Sequence, residues 1–257
     1  MKKTKIFALL ALLLGIGVMI AAGTRLLETQ RVYQEGDTAY EVLRSQVSSG
    51  PGPAMPQTGA ESADTEAVKN INIPSLDIDF AALREINADA AAWLYCPDTV
   101  IDYPVMKADD YNYYLNHLAD GTSNANGALF IDYNCAADFS EQLTVIYGHH
   151  MKSGKMFGSL KGYKTQSYYQ AHPDMYLYTE QENYQIELLY GCVIGAGQWR
   201  ERAFMYVENI DALLSYAEHN TTFKSNATYE KGDKLVVLST CSYEFDGARY
   251  VVIGILR

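Results

Sequence analysis

A cysteine, a histidine and an arginine, each placed at the end of an apolar run, are the side chains of this sequence best suited to acyl transfer. The cysteine closes Leu235-Val236-Val237-Leu238-Ser239-Thr240-Cys241, an acidic turn follows, and Arg249 opens Tyr250-Val251-Val252-Ile253-Gly254-Ile255-Leu256. A thiolate at a strand end is a competent nucleophile, and its chemistry needs a proton donor and something positive to hold the developing oxyanion. Arg249 suits the oxyanion, because its planar fork of donors is one that lysine lacks. His149, which ends the run Thr144-Val145-Ile146-Tyr147-Gly148, suits the proton transfer. Each residue also has a plainer reading: Cys241 as core, His149 as a loop histidine, and Arg249 as the ion-pair partner of Glu244 or Asp246. Their conjunction favours Cys241 as nucleophile, His149 as general acid and base, and Arg249 as oxyanion stabiliser.

The remaining candidates carry less chemistry. Cys96, Cys135 and Cys192 share no metal-ligand spacing with Cys241, and an even cysteine count is weak support for disulfides in a domain of this size. Cys192, inside Leu188-Leu189-Tyr190-Gly191-Cys192-Val193-Ile194, reads as a buried small hydrophobe. His117, His172 and His219 have no partners that suggest catalysis. Ser239 and Thr240, just before the cysteine, are candidates for contacting a substrate backbone.

These groups must be positioned by strands. Apolar runs at 92–95, 100–106, 128–131, 143–147, 175–178, 184–194, 234–241 and 249–256 predict eight strands. Short helices are expected at 79–87, 110–115, 156–163 and 209–219. The pattern predicts a mainly β fold, a closed or nearly closed eight-stranded mixed barrel with short peripheral helices. Ahead of it, residues 6–23 form an uncharged apolar run flanked by Lys2, Lys3 and Lys5 on one side and Arg25 on the other. Its 18 residues sit at the short end for a membrane span. The lysine excess before the run places the N-terminus in the cytoplasm and the body outside.

The expected organisation is a cytoplasmic tip and transmembrane anchor at 1–25, a juxtamembrane helix and Pro/Gly-rich stalk at 26–70, and a catalytic domain at 71–257. Of 20 Lys and Arg, four fall within the first 25 residues, so 16 remain against 31 Asp and Glu. So acidic a body argues against nucleic acid as a partner.

The motifs extend beyond the three residues. Asp79-Phe80 with Leu83 and Ile86-Asn87, Trp93-Leu94-Tyr95, Thr99-Val100-Ile101-Asp102-Tyr103-Pro104-Val105, Tyr113-Tyr114-Leu115, Gly127-Ala128-Leu129-Phe130-Ile131-Asp132, Tyr147-Gly148-His149, Met156-Phe157-Gly158 and Ser239-Thr240-Cys241 with Arg249 follow one another along the chain. Over roughly residues 75–257 this order resembles the class B sortases, the cysteine transpeptidases of Gram-positive cell walls. One departure stands out: the family usually has Asn after the catalytic His, where this chain has His150.

The resemblance implies cleavage after Thr of a C-terminal sorting signal of the Asn-Pro-x-Thr or Pro-x-Thr-Gly type, borne by surface proteins. The acyl group would pass from Cys241 to an amine of a cell-wall peptide or peptidoglycan precursor, with no metal or organic cofactor. Two alternatives are a non-catalytic cell-surface binding module on the same barrel and an L,D-transpeptidase. In the latter family His lies close before Cys, whereas here 92 residues separate His149 from Cys241. Within the stalk, Met55-Pro56-Gln57-Thr58-Gly59 looks like a sorting signal itself, although short strings match by chance.

Overall fold

Eight of the apolar runs become strands that pair edge to edge until the last meets the first. The computed structural model describes residues 2–49, 73–200 and 209–257; the string at 55–59 and most of the Pro/Gly-rich stalk lie outside them. A two-residue ladder joins β1 (Ser48–Ser49) to β2 (Asp77–Ile78). The barrel strands are β3 (Ala90–Tyr95), β4 (Asp102–Lys107), β5 (Leu129–Ile131), β6 (Leu143–Tyr147), β7 (Asp174–Tyr178), β8 (Asn183–Gly195), β9 (Leu235–Cys241) and β10 (Ala248–Leu256). Their order around the barrel is β10-β8-β7-β3-β4-β5-β6-β9, closed by the β9–β10 pair. Only β4–β5 and β6–β9 run parallel, so the barrel is mixed, as the sequence predicts.

Strands buried on both faces read as continuous apolar runs rather than as alternations. In β9 every residue but Cys241 is buried, and in β10 every residue but Arg249. Trp93, Leu94, Val105, Ile146, Val237 and Ile253 fill the core and expose none of their surface.

Among the described residues five α-helices accompany the barrel: α1 (Lys2–Val47), α2 (Phe80–Ile86), α3 (Gln166–Ala171), α4 (Ala196–Arg200) and α5 (Ile210–Asn220). Asp79 caps α2 by accepting from the Ala82 N–H at 2.9 Å, and Phe80 and Leu83 bury its inner face. In α5 the buried Ile210, Leu213, Leu214 and Ala217 follow the helical period. The helices expected at 110–115 and 156–163 are 3₁₀ segments, Tyr113–Leu115 and Phe157–Lys164. The short α3 and α4 lack the apolar period that would announce them.

The expected anchor and juxtamembrane helix are one continuous element. α1 has 46 residues, about 70 Å at 1.5 Å per residue. By length and composition its described part is apolar enough to cross a membrane. Its last turns are different in kind: Tyr40, Leu43 and Val47 are buried against the barrel.

Candidate active site

The parallel pairing of β6 with β9 brings two distant parts of the sequence together. Tyr147 stands opposite Ser239, and beyond that pair the Gly148 N–H donates to Ser239 O at 3.2 Å. Two residues past this last pair on each strand are His149 and Cys241. A Cβ on Gly148 would lie 2.5 Å from Leu129 Cδ2 and 2.7 Å from Phe157 Cδ2, so only glycine lets β6 end this close to β5. On the other side of β9, the antiparallel register sets Arg249 directly opposite Cys241. Directly opposed residues share one face of a sheet, with Cβ atoms about 5 Å apart.

Exposure separates Cys241 from the other thiols. All four cysteines are free, but Cys96, Cys135 and Cys192 are buried, and Cys241 is not. Burial pushes the Cys96 thiol up, Cys135 to about 11 and Cys192 to about 12, so none of these forms useful thiolate near neutrality.

The two adjacent imidazoles are held differently. His149 Nε2 lies 2.7 Å from Leu115 O. A carbonyl only accepts, so Nε2 carries a hydrogen, and Nδ1 is the ring nitrogen that this carbonyl leaves unengaged. His150 Nδ1 lies 2.7 Å from Cys241 O, and its ring meets Tyr243 edge-on at 5.0 Å. His150 is thus tied to the backbone of the cysteine itself.

Ser239 and Thr240 are both buried. The Thr240 hydroxyl donates to Gly148 O at 2.7 Å, while the Ser239 hydroxyl has no hydrogen-bond partner among the described residues. The structure therefore places Thr240 as a fastener of the β6 end beside His149.

The sequence gives no signal for Lys164, which the fold brings to the turn after Cys241. Its ammonium donates to Ser242 Oγ at 3.0 Å, pairs with Glu244 and lies 5.1 Å from the centre of the Tyr250 ring. Ser242 also donates to Glu244. Glu244 is thereby engaged by Lys164, and among the described residues neither it nor Asp246 forms a salt bridge with Arg249. The guanidinium donates to its neighbour's carbonyl, Ala248 O, at 3.1 Å.

Burial raises the Glu244 carboxyl, but the hydrogen bonds from Lys164 and Ser242 and the ammonium charge outweigh it and hold the group at about 2. A carboxylate depressed from 4.5 contributes stability that is full above 4.5 and is lost as pH falls through about 2. The pair is partly exposed, so its worth is about 1 kcal/mol or less. Lys164→Met is expected to lower the melting temperature by up to about 4 °C at pH 7. The gap should close as the pH approaches 2; a gap independent of pH would locate the loss in packing against Tyr250.

No family model matches the chain. It is 30% identical over 197 residues to a curated sortase B of Listeria monocytogenes, an alignment that covers 73% of this chain and 77% of that one. Among solved structures, sortase B from Bacillus anthracis in complex with AAEK1 superimposes with a TM-score of 0.69 at 25% identity, over 88% of this chain and 98% of that one. A Staphylococcus aureus sortase B–substrate complex has the same fold, with a TM-score of 0.64 at 24% identity over 70% and 84% of the two chains.

Proposed function

This chain belongs to the class B sortases, a family of cysteine transpeptidases, and from that premise we propose that Cys241, His149 and Arg249 carry its reaction. The observation behind the proposal is that β9 and β10 are buried throughout except at one opposed pair, Cys241 and Arg249, beside the β6 end that bears His149. A thiol and a guanidinium that are the only partly exposed side chains of these two strands, and that stand opposite each other, are suited to acyl transfer.

In the first half-reaction Cys241 Sγ attacks the Thr carbonyl carbon of a sorting signal of the Asn-Pro-x-Thr or Pro-x-Thr-Gly type. The carbonyl π electrons move to oxygen, and Arg249 donates hydrogen bonds to that oxyanion. As the C–N bond breaks, the His149 imidazolium gives its Nδ1 proton to the departing amine, which leaves a thioester on Cys241. In the second half an amine of a cell-wall peptide or peptidoglycan precursor attacks the thioester, His149 takes the proton back, and the thiolate departs. That the Staphylococcus aureus relative was solved with a substrate supports a bound sorting peptide here. In this scheme Ser239 and Thr240, expected from the sequence to contact the substrate backbone, are buried and are given no substrate contact; Thr240 acts by holding the end of β6 beside His149.

We further propose that the first part of α1 anchors the enzyme in the cell membrane, with residues 1–25 as tip and span, 26–70 as juxtamembrane helix and stalk, and 71–257 as catalytic domain outside the cell. Lys2, Lys3 and Lys5 before the span against Arg25 after it support that orientation.

Intact-mass detection of an acyl-enzyme with a small panel of sorting peptides tests the function. A mass increase matching the acyl fragment on the wild type, and none on Cys241→Ala, is the expected result; no adduct with any peptide would overturn it. For Arg249, stabilisation confined to the transition state predicts that Arg249→Lys lowers kcat about a hundredfold with little change in KM. An effect on KM alone would make Arg249 a ground-state binding residue.

A further inference from the structure

The end of α1 touches the loop that holds His149. Tyr40, buried in the helix–barrel contact, donates its hydroxyl proton to Gly127 O at 2.7 Å. Burial pushes this phenol's pKa up, so it remains a donor at any working pH. Two turns earlier the helix backbone lies against two asparagines of the same loop. Asn124 Nδ2 donates to Val32 O at 2.9 Å, and Asn126 Nδ2 donates to Tyr33 O at 3.1 Å. Gly36 makes that approach possible, since a Cβ there would lie 2.3 Å from Asn126 Nδ2 and 2.9 Å from Asn124 Oδ1.

The other side of the loop faces the imidazole. Gly127 has φ +61°, a left-handed conformation that favours glycine, and a Cβ on it would lie 2.5 Å from Tyr114 O and 2.9 Å from His149 Cδ2. The segment then runs back through Ala128, whose N–H donates to Tyr114 O at 2.9 Å, to Leu115, whose carbonyl accepts from His149 Nε2. His149 has Gly127 along its ring edge and Leu115 at Nε2, and Gly127 is in turn held by Tyr40 of α1. A second tie keeps the helix seated: Arg44 pairs with Asp102 of β4 at 2.7 Å.

We propose that the last four turns of α1, through Gly36 and Tyr40, position His149 for proton transfer, so that the helix leading from the N-terminal apolar segment is part of the catalytic unit. Tyr40 and Gly36 are positioning residues, since neither touches the reacting atoms. Lost alignment lowers the rate of proton transfer without weakening substrate binding, because binding energy and chemical geometry are separable. The inference rests on His149 being the general acid.

The test uses the full-length protein in detergent, labelled with ¹⁵N-histidine, with the His149 Nε2–H resonance assigned by its loss in His149→Ala. Tyr40→Phe removes one hydrogen bond and leaves the helix surface otherwise unchanged. The expected result is a kcat three- to tenfold lower, KM within twofold, and a shifted or broadened Nε2–H resonance. Gly36→Leu, which forces the helix off the asparagines, should do the same to a greater degree. A wild-type kcat and an unmoved resonance in Tyr40→Phe would overturn the inference, whether or not Gly36→Leu folds. If His149→Ala keeps full turnover, it is the assignment of the general acid that fails, and the resonance in Tyr40→Phe still reports whether α1 holds the ring.

Discussion

Cys241→Ala is expected to abolish cleavage of a sorting peptide, with a loss of at least about 10⁴ in kcat/KM, whereas Cys192→Ala leaves the rate within about twofold. The contrast follows from where the two thiols sit. Cys192 is fully buried in β8, and burial pushes its thiol to about 12, so it neither ionises nor meets a substrate. Its removal leaves a small cavity costing about 1 kcal/mol, a loss read as a melting temperature a few degrees lower. Cys241 stands at the partly exposed end of β9, directly opposite Arg249. The measurement is the steady-state rate together with intact mass after incubation with peptide. Equal losses in both variants would mean that Cys241 is not the sole catalytic thiol.

The adjacent imidazoles should separate just as sharply. His149→Ala is expected to cost two to four orders of magnitude in kcat, the usual worth of a positioned general acid. His150→Asn should cost less than about fivefold. His150 is tied through Nδ1 to the carbonyl of Cys241, and an asparagine amide can donate to the same oxygen. His150→Ala, which leaves that oxygen without its donor and frees the end of β9, should fall between the two. Steady-state kinetics of the three variants decide the matter, and the reverse ranking would make His150 the acid. Restoration of the rate of His149→Ala by added imidazole would further tie the loss to proton transfer rather than to folding.

Much of the barrel was legible because its strands are buried on both faces. Val236, Val237, Leu238, Val251, Val252 and Ile253 sit in runs too apolar and too short for anything but buried strands, and turn residues separate them. The strand ends at Tyr147 and Cys241 came out at the predicted residues, because polar or glycine-rich chain follows each. Short helical segments were less legible. The helices expected at 110–115 and 156–163 are present as 3₁₀ segments, whereas α3 and α4, of six and five residues, are too short for a 3.6-residue period to show.

The sequence by itself determined that residue types suited to thiol acyl transfer stand at or near strand ends, Cys241 at the end of one, Arg249 near the start of the next and His149 just past a third. Residue type and local apolar pattern are properties of a few neighbouring positions, so no tertiary information is needed to see them. Only the tertiary structure decided who partners whom. Closure of the barrel sets Arg249 against Cys241 and gives Glu244 to Lys164, 80 residues away, rather than to the nearer Arg249. It fastens His150 to Cys241 across 91 residues, and His149 to Leu115 across 34. It also brings the end of α1 against the loop beside His149, through Tyr40 and Gly36, which lie 87 residues before Gly127 and 90 before Asn126. Hydrogen-bond partners at such separations are chosen by strand register and packing, and those are fixed only when the whole barrel closes.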